Sequence, residues 1–121
     1  MAIKNVLIVE DSPTDCKALS DILTKNGFGV VSVGTAEEAL TKVKEMKPDL
    51  VLMDVVLPGQ NGFQATRTLA RDEATRNTPV IICSSKRRET DKVWGMRQGA
   101  KNYLVKPVKQ TELLAMIEAL G

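Results

Sequence analysis

Histidine is absent from the 121-residue chain. That removes imidazole acid–base chemistry, the commonest zinc ligand and any phospho-histidine role for the chain itself. Only two cysteines occur, Cys16 and Cys83. They are too few for a disulfide framework, have no metal-ligand spacing, and read as buried free thiols. Aromatic side chains are scarce: Phe28, Phe63, Trp94 and Tyr103. So few rings leave little on which to stack bases, so direct nucleic-acid binding is not expected. No apolar run approaches the roughly 18 residues of a membrane span, and Met1-Ala2-Ile3-Lys4 does not begin a signal peptide. The expectation is a cytoplasmic protein with no membrane partner.

The chain is one domain long, and a chain of this size buries roughly two-thirds of its unfolded surface. A single domain over residues 1–121 is expected, with no linker, no output domain and a monomeric state. The net charge of +2 hides an asymmetry. Residues 1–60 hold 6 Lys+Arg against 9 Asp+Glu, and residues 61–121 hold 11 against 6. The basic residues are spread over several helical segments, apart from Lys86-Arg87-Arg88, and read as solvated helix faces.

Short continuous apolar runs alternate with segments of helical period. Val6-Leu7-Ile8-Val9, Leu50-Val51-Leu52-Met53 and Val80-Ile81-Ile82-Cys83 suit strands buried on both faces. Val30-Val31-Ser32-Val33 and Tyr103-Leu104-Val105 are weaker copies. Between them, Cys16, Leu19, Ile22 and Leu23 share a helical face, as do Ala36, Ala39, Leu40 and Val43, then Leu113, Ile117 and Leu120. Ser12-Pro13 predicts an N-cap followed by proline in the first turn, and Thr35-Ala36-Glu37-Glu38 predicts a capping box. Gly27 and Gly99 stand where helices stop. Five strand–helix units imply a parallel sheet covered on both faces.

Ligands of such sheets bind beyond the carboxyl ends of the strands. Glu10 and Asp11 follow the first strand and Asp54 the third. Ser84 and Ser85 follow the fourth, and Lys106-Pro107 the fifth. Three carboxylates repel one another unless a cation joins them, and an all-oxygen donor set of two or three charges suits Mg²⁺. A metal-held carboxylate beside an ammonium and a hydroxyl suits phosphoryl transfer, with the carboxylate as nucleophile. Taken singly, each residue has a plainer reading as a helix-terminus charge, a turn residue, a cap or a solvated lysine. Their convergence on one edge favours the chemical one.

These residues resemble the response-regulator receiver family, the CheY-like domains, along the whole chain. The carriers are Leu7-Ile8-Val9-Glu10-Asp11-Ser12, Leu52-Met53-Asp54 with Val55-Val56-Leu57-Pro58-Gly59-Gln60-Asn61-Gly62, Ser84, Gly99-Ala100 and Tyr103-Leu104-Val105-Lys106-Pro107. The resemblance implies a doubly wound flavodoxin-like (βα)5 fold with strand order 2-1-3-4-5. It implies Asp54 as phosphoacceptor, and Glu10, Asp11, Asp54 and the Val56 carbonyl as Mg²⁺ ligands, with Mn²⁺ as a substitute. It further implies Ser84 and Lys106 on the phosphoryl group, Tyr103 as a switching aromatic, and a cis Lys106–Pro107 bond. A sensor histidine kinase, including a CheA-like one, would be the donor, and a downstream protein the target. Phe63 to Arg67 and Thr90 to Ala100 look most like PilH-type regulators of twitching-motility chemotaxis systems.

The sequence departs from the commoner pattern at Glu10, where aspartate is usual, and at Ser84, where threonine is. Gly95 falls inside the predicted fourth helix, at a cost of about 1 kcal/mol relative to alanine. Val93 and Met96 are expected on that helix's buried stripe. Trp94 is then partly exposed and forms a partner surface with Arg87, Arg88 and Lys92. Alternatives within the family are a sink for phosphoryl groups and a pseudo-receiver that acts without phosphorylation. A flavodoxin-like electron carrier is disfavoured because Glu10-Asp11-Ser12-Pro13 would repel a phosphate. An aspartate-nucleophile phosphatase is disfavoured because Val56 stands where a second acid is expected.

Overall fold

The structure, a computed structural model, describes residues 2–121. Its elements alternate without exception. They are β1 (Asn5–Val9), α1 (Pro13–Lys25), β2 (Gly29–Val33), α2 (Ala36–Met46), β3 (Leu50–Met53), α3 (Gly62–Arg71), β4 (Val80–Ser84), α4 (Glu89–Arg97), β5 (Asn102–Val105) and α5 (Gln110–Leu120). All strand pairs are parallel, in the order β2-β1-β3-β4-β5. The three central strands carry the continuous apolar runs because both of their faces are covered. β2 lies at an edge, and its Gly29, Val31 and Ser32 are exposed.

Alternation along each strand divides the core in two. Val6, Ile8, Leu50, Leu52, Ile81, Cys83 and Leu104 meet Leu19 and Leu23 of α1 and Leu113 and Ile117 of α5. Leu7, Val9, Val51, Met53 and Val80 meet Ala36, Ala39 and Val43 of α2 and Ala65 and Leu69 of α3. A smaller cluster of Val55, Ile82, Ala100 and Tyr103, flanked by Phe63, lies under α4. Of the two thiols, Cys83 is buried and Cys16 half-buried. Burial pushes the Cys83 thiol up to about 12.

The helix ends follow local chemistry. Ser12 Oγ accepts from the Asp15 amide at 3.3 Å, with Pro13 in the first turn of α1. The Thr35 cap forms, but the reciprocal half of the expected box does not. The Thr35 hydroxyl donates to the Glu38 carboxylate at 3.0 Å, while the Glu38 amide donates to Thr35 at 3.1 Å. The reciprocal box belongs to α3, between Asn61 and Gln64. Gly27 and Gly99 take φ of 88° and 109°, the left-handed conformation that ends α1 and α4.

The expected buried stripe of α4 is corrected by the structure. Val93 and Met96 are 49% and 46% exposed, as is Trp94 at 48%. The helix instead meets the sheet through Gly95, followed one turn later by buried Gln98. The physical reason is proximity. A β-carbon on Gly95 would stand 2.8 Å from Ile82 Cδ1 and 3.1 Å from Tyr103 Cδ2. The residue that costs helix propensity is the one that lets α4 sit down on β4 and β5.

Candidate functional site

The carboxyl ends of β1, β3, β4 and β5 form one rim, and each delivers a polar side chain to it. Glu10 follows β1 and is buried, and its Oε2 accepts from the Ser12 amide at 3.2 Å. Asp11, next to it, is exposed. Asp54 follows β3 and is 6% exposed, its amide bonded to the Val9 carbonyl at 3.0 Å. That bond continues the β1–β3 ladder and fixes the base of the side chain. Asp54 Oδ1 accepts from the Val55 amide at 2.8 Å, which leaves Oδ2 facing the rim's ammonium.

That ammonium is Lys106, placed after β5 by a cis bond to Pro107 and by its amide, which donates to the Ser84 carbonyl at 2.9 Å. Its Nζ donates to Glu10 Oε1, to Asp15 Oδ2 at 2.9 Å and to Asp54 Oδ2 at 3.4 Å. Burial works against the charge on Lys106, but the bonds from Glu10 and Asp15 and the charge of Asp54 outweigh it and raise its pKa. Glu10 moves the same way for a different reason. Burial raises its pKa, Asp54 adds to the rise, and the Lys106 bond opposes it. The rim thus crowds Glu10, Asp15 and Asp54 around one cation, with Asp11 alongside Glu10 and Asp54.

Three of these acids satisfy the test for a bound divalent ion. Glu10, Asp11 and Asp54 each offer a carboxylate oxygen, and all three oxygens lie within 4.8 Å of one another. The donors are hard oxygens with net negative charge, suited to Mg²⁺ rather than to a thiophilic metal. Val56, whose carbonyl is the fourth expected ligand, lies two residues past Asp54 and is 58% exposed.

The two residues expected to switch sit beside this rim. Ser84 is fully buried at the end of β4, and its hydroxyl accepts from the Lys86 amide at 3.2 Å. The Tyr103 ring packs inward, and its hydroxyl donates to the Lys86 carbonyl at 2.6 Å. Burial raises its phenol pKa. Ser84 and Tyr103 therefore both hold the backbone of Lys86, at the start of the β4–α4 loop. The expected partner residues divide: Arg87 and Arg88 are exposed on that loop, Lys92 pairs with Glu89 at 3.8 Å, and Trp94 lies farther along α4.

Two contributors escaped the sequence reading. Asp15, in the first turn of α1, reaches Lys106. Only the packing of that turn against the end of β5 brings its carboxylate to the ammonium. Gly62 was visible only as part of a motif. Its amide bonds the Val55 carbonyl at 2.9 Å, and a β-carbon there would fall 1.8 Å from the Asp54 carbonyl oxygen. The loop between Asp54 and α3 is further held by Glu37, which accepts from the Gln60 amide at 3.3 Å.

Known proteins share this arrangement. The sequence profile of the response regulator receiver domain matches residues 6–118. The chain is 50% identical over 115 residues to PilH of Pseudomonas aeruginosa, covering 95% of each. It is 37% identical to the DNA-binding response regulator MtrA of Mycolicibacterium smegmatis, of which it spans only 50%. A putative response regulator from Chloroflexus aurantiacus superposes with a TM-score of 0.93 at 28% identity, covering 98% of this chain and 97% of the other. The receiver domain of a Pseudomonas aeruginosa sensor histidine kinase, with a magnesium ion coordinated in its active site cleft, superposes with a TM-score of 0.89 at 28% identity and 98% coverage of both chains. On the strength of that profile, of the shared 2-1-3-4-5 sheet and of the acidic rim at its carboxyl edge, the chain belongs to the response regulator receiver domain family.

Proposed function

We propose that this protein is a phosphoacceptor switch in which Asp54 takes a phosphoryl group from the phospho-histidine of a sensor kinase. The observation that carries the reading is the convergence of carboxylate oxygens of Glu10, Asp11 and Asp54, within 4.8 Å of one another, beside the Lys106 ammonium, which contacts Glu10 and Asp54. Glu10, Asp11, Asp54 and the Val56 carbonyl would hold Mg²⁺, or Mn²⁺ in its place. The bound ion would supply charge neutralisation between the carboxylates and the incoming phosphoryl oxygens.

Within this chain, the division of labour follows from the contacts. The Val55 amide occupies Oδ1 of Asp54, so Oδ2 is the attacking oxygen. It forms the bond to phosphorus as the phosphorus–nitrogen bond of the donor breaks and the imidazole leaves with the electron pair. Lys106 is already 3.4 Å from that oxygen and turns one N–H to the new phosphoryl group. Ser84, at the end of β4, can supply a further donor. Water later attacks phosphorus, breaks the acyl phosphate and restores the carboxylate.

The added charge is read out through the loop that Ser84 and Tyr103 hold in common. Its rearrangement shifts the face formed by α4, β5 and α5 toward the partner-binding state. Converting a mostly-off population to mostly-on requires roughly 3–6 kcal/mol of differential stabilisation. The likeness to PilH supports a chemotaxis-like pathway tied to pili, with a CheA-like kinase as donor and a cytoplasmic protein as target.

Intact-mass measurement after incubation with acetyl phosphate tests the reading. The expected result is a Mg²⁺-dependent gain of one phosphoryl group, absent from Asp54→Asn. No gain in a folded, Mg²⁺-binding protein, from acetyl phosphate or from kinases, would overturn it in favour of a pseudo-receiver.

A further inference from the structure

A groove of about 390 Å³ runs between α3 and α4. It is lined by Arg67 and Arg71 on one side and by Trp94 and Arg97 on the other, over a floor that includes Ala70 and Gln98. The positions are helical partners: Arg67 and Arg71 are four apart, and Trp94 and Arg97 three apart, so each pair faces the same way. Gly99 lets the helices close at the base, because a β-carbon there would stand 2.6 Å from that of Ala70.

No acidic residue lines this groove. Among the described residues, the ion pairs of these helices are Lys44 with Asp72 and Lys92 with Glu89, and none uses the three arginines. Arg71 and Arg97 lie in the last turns of their helices, where a cation offsets the macrodipole. That accounts for neither Arg67 nor the half-exposed Trp94 between them. The groove is also remote in the fold from the acidic rim. It extends to the C-terminal ends of α3 and α4, and these point away from the strand ends that carry Asp54.

We propose that the α3–α4 groove is a docking site for an acidic segment of a partner protein, which places carboxylates on Arg67, Arg71 and Arg97 and an apolar side chain against Trp94. Arginine forks bind carboxylates in pairs, and a tryptophan bordered by arginines is the composition of a recognition anchor. Three cations line the groove without an acid among them. Asp72 and Glu73 follow Arg71, and Glu89 and Asp91 open α4. Acids that flank the arginines in sequence on both helices disfavour a long polyanion and favour a short acidic segment. The groove shares α4 with the α4-β5-α5 face but lies where that helix meets α3, so its occupant docks beside the face that carries the readout.

Trp94 is the sole tryptophan and reports on its own groove. The probe is a short synthetic peptide of alternating acidic residues and leucine, titrated into the full chain while its fluorescence is followed. The expected result is a saturable change that weakens with added salt. Affinity should fall about tenfold in the triple variant R67Q/R71Q/R97Q, as loss of three partly exposed ion pairs implies. It should hold in R87Q/R88Q. Melting curves confirm folding, and Trp94→Phe, read by calorimetry, should weaken binding without moving the melt. Absence of a saturable change overturns the proposal. So does equal loss in R87Q/R88Q, which would indicate general attraction to a basic half. Tighter binding of a DNA duplex through the same arginines would assign the groove to nucleic acid instead. Phosphoryl uptake from acetyl phosphate, measured on the same triple variant, should match wild type, so failure here and failure of the phosphoacceptor reading are separable.

Discussion

Tyr103 lies against Gly95 so closely that a β-carbon at position 95 would stand 3.1 Å from Cδ2 of the ring and 3.3 Å from Cε2. The inward ring therefore depends on a missing side chain in α4. Tyr103 also bonds the Lys86 carbonyl at 2.6 Å, so its position fixes the loop that follows Ser84.

Gly95→Ala should separate stability from switching. Alanine gains about 1 kcal/mol of helix propensity, and the contact with Ile82 is relieved by turning the flexible end of that side chain. Net stability should stay within about 1 kcal/mol of wild type. The ring, however, should be driven outward. Burial raises the phenol pKa in the folded protein, so exposing the ring should lower it toward the ordinary range. Ultraviolet absorbance titration of the single tyrosine checks this, and an unchanged titration would show that the ring keeps its place.

Gly62→Ala should be far more damaging. The added carbon would sit 1.8 Å from the Asp54 carbonyl oxygen and 2.9 Å from Val55 Cα, all backbone atoms that cannot turn aside. A loss of roughly 3 kcal/mol or more is expected, with phosphoryl uptake lost as Asp54 shifts. Gly34→Ala is the control. Nothing lies within 4 Å of its β-carbon position, so it should leave the urea midpoint unchanged or raise it.

Added Mg²⁺ should stabilise the fold by mass action, by about 2.7 kcal/mol at a hundredfold excess over Kd. A chelator should reverse the effect. Asp11→Asn should abolish most of it, because Asp11 is one of the three convergent acids. Asp15→Asn should retain it, because Asp15 touches Lys106 and is not among them. Equal losses in both variants would mean that Asp15 also holds the ion. Thermal midpoints with and without the ion decide between these outcomes.

Acid should weaken the link between β1 and β3. Asp49 Oδ2 accepts from the amides of Lys4 and Asn5, both at 2.9 Å, and these bonds lower its pKa below 3.8. A carboxylate with a depressed folded pKa contributes stability above its unfolded value and loses it as pH falls through the folded one. Urea midpoints measured from pH 7 downward should therefore decline more steeply below about pH 4 in wild type than in Asp49→Asn. Parallel curves would assign the decline to other carboxylates.

Much of this protein was legible in its sequence because the controlling signals are local. The runs at Val6–Val9, Leu50–Met53 and Val80–Cys83 report burial on two faces. Ser12-Pro13 and Gly99 report helix ends through their own backbone preferences. The order of strands in space brought Glu10, Asp11, Asp54, Ser84 and Lys106 to one rim, and the parallel topology alone predicts that edge. What only the tertiary structure decided are the close approaches between segments distant in the chain. The Asp15 contact to Lys106, the clash space at Gly62 and the seat of Tyr103 on Gly95 all depend on distances of a few ångströms. The same holds for α4, where helical period suggested Val93 and Met96 as the buried stripe while contact with Ile82 and Tyr103 selected Gly95. Hydrophobic pattern records which residues avoid water. A glycine that is buried because two segments must touch leaves no such record, since its role lies in the side chain it does not have.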